Sequence, residues 1–204
     1  MFKKMASDAL GLSDVGKVIL PEDYDKVDAD DYVMHEDGEK IFFLIKSAAD
    51  EYGFTNKALI HLDGTSATSK KRMLHRYDYY KHTISNVALE TAGTVDLDVE
   101  IKFSMGNQSF SIDVHKKNIE ELKDLYKALL KIAEIMSEND AYYEFTKQSL
   151  DYASNTLHRA DIKDNRVFEE FKSINQLAFN WLVESKQKYT VKDFGDVFER
   201  YIQN

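Results

Sequence analysis

The sequence predicts an α+β fold: about seven strands in antiparallel succession, one long amphipathic helix that closes them, and an α-helical extension. Three observations carry this. From about Glu39 the chain reads as strand after strand, with connections too short for crossover helices, so antiparallel pairing is favoured. The alternation is cleanest at residues 94–104, where Val95, Leu97, Val99, Ile101 and Phe103 share one face and Asp96, Asp98, Glu100 and Lys102 take the other. From residue 119 the apolar period then switches from two to about 3.6 and the pattern stays helical through the extension.

Taken in order, residues 2–12 form a short amphipathic helix in this reading, with Phe2, Met5, Ala6, Ala9 and Leu10 on one side. Packing on the rest of the protein is favoured over a membrane-surface role, because Lys3 and Lys4 are its only cations. An acidic segment follows, in which Glu22, Asp23, Asp25, Asp28, Asp30, Asp31, Glu36, Asp37 and Glu39 are opposed only by Lys26. Its spacing lacks the fifth-position oxygen ligand and the sixth-position glycine of a calcium loop, so a solvated or partner-facing acidic face is the better reading. Residues 40–47 are apolar on both faces, as in a central strand or one covered by something beyond its own sheet.

Tyr52 and Phe54 alternate in the next strand, and Thr55-Asn56 turns the chain into Lys57–Leu62. Asp63-Gly64 signals a turn into a small-residue loop. Further strands are expected at Arg72–Tyr77, Thr83–Glu90, Thr94–Ser104 and Gln108–Val114, the last two joined at Gly106-Asn107. The closing helix over 119–136 has Asn118 as its expected N-cap, with Glu121 in the capping-box position. Ile119, Leu122, Tyr126, Leu129, Ala133 and Met136 form its seam, widened by Leu125, Leu130 and Ile132 beyond what one contact needs. This helix is expected to touch the sheet and a further helix or subunit. Leu125, Leu129, Ile132, Phe168, Phe171, Trp181, Phe194 and Phe198 are the residues expected to pack the tail or an oligomer.

Composition limits the function classes. A net charge of -9 argues against general nucleic-acid binding. The absence of cysteine excludes disulfides, thiolate catalysis and cysteine-ligated metals. The start of the chain does not read as a signal peptide, the longest apolar run is Ile41–Ile45, and a cytoplasmic location is expected. The six histidines have no metal-ligand spacing, and His61 and His75 read as structural residues within strands. No phosphate-binding, dinucleotide-binding, zinc-protease or nucleophile-elbow motif is present, so no catalytic residue, metal or cofactor is assigned and an enzyme is not expected.

One charge feature has direction. Lys70, Lys71, Arg72, Arg76 and Lys81 concentrate positive charge in an acidic chain, interleaved with Tyr77, Tyr79 and Tyr80. It reads first as a solvated loop and strand edge. It reads next as a salt-bridging surface for the acidic segment, including Asp28, Asp30 and Asp31, within or between subunits. Third comes a surface for anionic lipid headgroups or another acidic partner.

Residues 7–47 (with DYDKVDADDYVMHEDGEKIFFLIKS at their end), DEYGFTNKALIHLDG and TSKKRMLHRYDYYKHTISNVALET resemble the short bacterial pleckstrin-homology-like (PH-like) family. The whole chain, with its helical tail, is similar to YvbH-type members that carry a YvbH-like oligomerisation region. The resemblance implies a PH-like barrel over residues 39–136, an N-terminal segment over 1–38, an oligomerisation region over 137–204, and assembly into homo-oligomeric rings or cages. It brings no catalytic residues. Eukaryotic relatives bind phosphoinositides through a basic loop between their first two strands. Here that loop is about Ser47-Ala48-Ala49-Asp50, with only Lys46 beside it, so no such site is expected. The expected function is a non-enzymatic, self-assembling scaffold; a peripheral membrane or ligand-binding domain using residues 70–82 is the alternative.

Overall fold

Among the described residues, eight strands run along the first part of the chain: β1 (Lys17–Ile19), β2 (Ile41–Lys46), β3 (Glu51–Thr55), β4 (Ala58–Gly64), β5 (Arg72–Asp78), β6 (Ile84–Glu90), β7 (Asp98–Met105) and β8 (Gln108–His115). The computed structural model describes residues 15–64, 72–91, 98–159 and 167–202, with backbone alone for 156–159 and 167–170. The expected helix at 2–12, the loop before β5 with Lys70 and Lys71, and Val95 and Leu97 lie outside the described residues. Every neighbouring pair is antiparallel, in the orders β1-β2-β3-β4-β5 and β6-β7-β8.

The two sheets join at one corner, where Gly16 bridges Val114. The Gly16 N–H donates to the Asp113 carbonyl at 2.8 Å and the His115 N–H donates to the Gly16 carbonyl at 2.9 Å. A Cβ at residue 16 would lie 2.7 Å from Ile45 Cγ2, so the backbones approach this closely because no side chain intervenes. Rings tie the sheets together inside. Phe43 meets Phe54 at 6.2 Å, Phe54 meets Phe103 at 5.9 Å, and Phe103 stacks on Phe110 at 4.9 Å. The strict alternation of β7 is observed: Val99, Ile101, Phe103 and Met105 are buried and the residues between them are not.

Strand β2 is apolar on both faces because both are covered. The acidic segment forms three short 3-10 helices, Pro21–Lys26, Asp28–Tyr32 and His35–Asp37. Its Val27, Ala29 and Val33 bury against Leu44, Ile60, Leu62 and Ile19, forming a second core outside the barrel. Acidic and apolar residues therefore divide one strap between water and sheet.

Strand β4 continues through the expected turn at Asp63-Gly64. A Cβ on Gly64 would lie 2.4 Å from the Ala49 carbonyl oxygen, so this glycine serves close packing of backbone on backbone.

Helix α1 (Ile119–Arg159) does not end at Met136 but runs on unbroken. Leu122, Leu125, Ala128, Leu129 and Ile132 are fully buried. The expected cap at Asn118 takes a different form: a 3-10 turn over Lys116–Asn118 already coils the chain, so Asn118 lacks the extended conformation a cap needs. Its side-chain amide instead donates to Glu121 at 3.3 Å. Helices α2 (Val167–Lys188) and α3 (Gly195–Tyr201) follow.

The chain divides into two units, one holding the residues up to Glu134 and from Lys192 onward, the other Ile135–Val191. The expected extension 137–204 is thus shared, and α3 belongs with the strands. Within the second unit Tyr142 stacks on Tyr189 at 5.5 Å, which sets its two helical stretches antiparallel.

Gly64→Ala should destabilise the protein by about 1–3 kcal/mol, because the Ala49 backbone must move to admit a methyl group. Chemical denaturation checks this; an unchanged midpoint would mean that the contact yields freely.

Candidate functional site

Two buried carboxylates organise the most polar part of the barrel. Glu51 on β3 has 0% exposure and Lys46 on β2 has 2%, and they are cross-strand partners in register. Glu51 Oε1 accepts from Lys46 Nζ and from Arg72 Nη1 at 3.1 Å, and its Oε2 accepts the Ala29 N–H of the strap at 2.8 Å. Glu39, at the far end of the strap, binds Arg76 in two-pronged fashion. Nη1 reaches Oε2 at 3.0 Å and Nη2 reaches Oε1 at 3.1 Å. The Met34 N–H adds 2.9 Å to Oε2 and the Thr55 hydroxyl donates to Oε1.

The described cations of the basic segment, Arg72, Arg76 and Lys81, are therefore engaged within the chain. Arg72 also reaches Asp28 at 3.3 Å, Arg76 Nε reaches Asp78 at 2.8 Å, and Lys81 reaches the other Asp78 oxygen at 2.8 Å. Asp30 faces His35 Nε2 at 3.2 Å, and Asp31 is exposed. Lys70 and Lys71 lie outside the described residues. The salt-bridging reading of this segment takes an intramolecular form at Arg72 and Arg76: β5 clamps the acidic strap.

Burial pushes the Glu39 carboxyl up, but the bonds from Arg76, Thr55 and Met34 outweigh it and hold the group below its ordinary 4.5. Asp78 likewise sits below 3.8, its burial offset by Lys81 and Arg76. Lys46 and Glu51 escaped the sequence reading because a charge at the edge of an apolar run looks like a strand end, whereas Glu39 was read only as one of the acidic segment's carboxylates. The available signal was facing: Lys46 shares a strand face with Leu44, so covering that face demands a buried carboxylate for the lysine.

On the opposite face of β3–β5, Tyr52 stacks on His61 at 4.3 Å and His61 lies 6.0 Å from His75. His61 Nε2 meets Asp50 at 3.2 Å. These histidines are part of a ring ladder, and no group of three or more potential ligands gathers for a metal among the described residues.

The tail candidates separate. Leu125, Leu129 and Ile132 are fully buried in α1, and Phe194 and Phe198 are buried in the barrel unit. Phe171 and Trp181 are exposed on α2, whereas the Phe168 side chain lies outside the described residues. Among the described residues no helix is long and apolar enough to cross a membrane.

Residues 9–133 match the family model described as bacterial PH domain. The chain belongs to the bacterial PH domain family. Two packed antiparallel sheets with a closing helix are the PH-like architecture expected of such a protein. Residues 144–204 match the YvbH-like oligomerisation region. This PH-domain protein is 60% identical to YvbH of Bacillus subtilis (strain 168) over the full length of both chains, and 34% identical over 94 residues to YjqA of the same organism, covering 46% of this chain and 74% of YjqA. A crystal structure of a PH-domain-containing bacterial protein from Exiguobacterium sibiricum 255-15 superposes with a TM-score of 0.85 at 51% identity, covering 93% of this chain and 100% of that one.

Glu51→Ala leaves Lys46 buried without a partner and should cost about 3–5 kcal/mol by denaturant titration. Because Glu39 and Asp78 titrate lower in the folded state, the stability they add is complete above their unfolded values and is lost as pH falls through their folded ones. Glu39→Gln should accordingly flatten the acid limb of the stability–pH curve; a slope identical to the parent's below pH 4.5 would remove Glu39 from that role.

Proposed function

We propose that this protein is a non-enzymatic scaffold whose barrel is carried into a homo-oligomer, a ring or cage, by the helical unit Ile135–Val191. The observation that supports it most is the apolar surface this unit leaves in water. Leu177 is 70% exposed, Phe171 67% and Phe179 61%, and Phe145, Tyr152, Ile174 and Trp181 of the same unit are exposed as well. Large apolar side chains left exposed in such number mark an interaction site on a soluble protein.

Its distribution favours copies of the same chain over a single docked peptide. On α2 the covered strip runs through Ala178, Leu182 and Ser185. At 3.6 residues per turn, Ile174, Leu177 and Trp181 flank that strip on one side and Phe179 and Val183 on the other. A helix apolar over so wide an arc is suited to a bundle interior. Identical chains bearing such surfaces close on one another symmetrically, and the match of residues 144–204 to an oligomerisation region supports the same reading. The alternative, an anionic-lipid surface, draws no support from Arg72 and Arg76, whose guanidiniums are engaged with Glu51, Asp28 and Glu39.

Light scattering at micromolar concentration and physiological salt should return a multiple of the 23.6 kDa chain mass. The double change Phe171→Glu with Leu177→Glu should lower that mass while leaving the far-UV spectrum intact. A monomeric parent protein would refute the assembly.

A further inference from the structure

The segment from Lys192 to Ile202 meets the barrel as a bound peptide meets its receptor. Asp193 shapes it: Oδ1 accepts the Gly195 N–H at 2.9 Å, while Oδ2 accepts from Asn56 Nδ2 at 2.7 Å. The Phe194 N–H donates to the Asn56 carbonyl at 2.8 Å. Phe194 and Phe198 set their rings on Tyr79 at 5.7 and 6.1 Å, and Phe198 stacks on Phe42 at 5.3 Å. Lys40 reaches Glu199 at 2.9 Å on the rim.

On the receptor side Asn56 is held in place without the segment. Asn56 is held by its own Oδ1, which accepts the Lys40 N–H at 2.9 Å, and by an Nδ2 bond to the Gly38 carbonyl at 3.3 Å. Its backbone N–H donates to the Lys40 carbonyl at 3.2 Å. An amide already held in place lowers the ordering cost of recognising a short motif.

The ligand side is the opposite. Helix α3 has seven residues, too few to be stable alone, so the segment takes its fold from the surface it lies on. The Tyr79 hydroxyl beneath it is buried and has no hydrogen-bond partner among the described residues. The segment connects to its own strands only through Ile135–Val191, so the contacts themselves do not distinguish its own barrel from an identical one.

We propose that Phe42, Asn56 and Tyr79 form a peptide-recognition site for the motif Asp193-Phe194-Gly195 with Phe198, and that this site takes the motif from a second copy of the chain. The inference rests on the proposed self-association only for bringing that copy near, where a linked motif acts at high effective concentration. Exchange of the segment would lock copies together by polar, sequence-specific contacts.

The cysteine-free chain allows a direct test. A Cβ at residue 195 lies 3.6 Å from Asn56 Cβ, within the separation a disulfide spans. Chains carrying Asn56→Cys and Gly195→Cys separately, with different tags, are co-expressed, oxidised and run on denaturing, non-reducing gels. A covalent heterodimer well above the background of either variant alone is expected, and adding Phe198→Ala to the Gly195→Cys chain should abolish it. The double variant serves as the geometric control. Closure within the chain there, with no heterodimer in the mixture, overturns the exchange; no disulfide in either overturns the docked geometry. Light scattering on the same samples reads assembly separately, so an intact oligomer without heterodimer counts against exchange alone. As an independent arm, a fluorescent peptide of residues 190–202 should bind full-length Phe194→Ala/Phe198→Ala protein roughly tenfold or more tighter than the parent, whose site is filled. Equal binding to both would also overturn the proposal.

Discussion

Glu51 is a charge with no access to water, held between Lys46 on the neighbouring strand, Arg72 two strands away and the Ala29 N–H of the strap. Removing any one of these donors leaves the others with a buried ion to neutralise, which is costly at low dielectric. The carboxylate therefore fixes three things at once: the register of β2 on β3, the approach of β5, and the position of the strap over Leu44, Ile60 and Leu62. Glu39 repeats the device at the other end of the strap through Arg76 and Thr55. An apolar pair of equal volume could match the packing but would not choose one register over the next.

The strands were legible from periodicity because the inside of a barrel imposes a period of two, and β7 obeys it without exception. The strap was not. Its carboxylates dominate the composition, whereas Ala29 lies within a short 3-10 helix and Val27 and Val33 in the extended junctions that flank it, too few residues in mixed geometry to show a period. Gly64 was read as a turn because a glycine beside an aspartate looks the same in a turn and at a close backbone contact. The helix boundary at Ser137 was misjudged for a related reason: polar residues at 137–140 suggest an ending, but no glycine or proline is there to stop α1. Asn56 was read only as a turn residue, and nothing local in sequence pairs it with Asp193.

The two surfaces through which this protein would meet copies of itself differ in kind. The exposed residues of α2 offer area and little directional chemistry, so they suit contacts that bury much and specify little. The surface formed by Phe42, Asn56 and Tyr79 is small and exact in its hydrogen bonds, so it suits selection of one motif. Area for cohesion and a few polar groups for identity is the division of labour that the proposed self-association would use.

The barrel is a discontinuous structure, assembled from sequence before Glu134 and sequence after Lys192, and the helical unit Ile135–Val191 is topologically an insertion between them. This changes what a deletion means. Cutting the chain back to the end of the barrel strands and closing helix would remove the insertion, but it would also strip α3 from Phe42 and Tyr79, exposing the buried Tyr79 ring and uncovering the half-buried Phe42 further. Such a fragment would lose one adhesive surface and gain another. Removing the inserted helices alone, rather than everything after the closing helix, is therefore the change that isolates what they contribute.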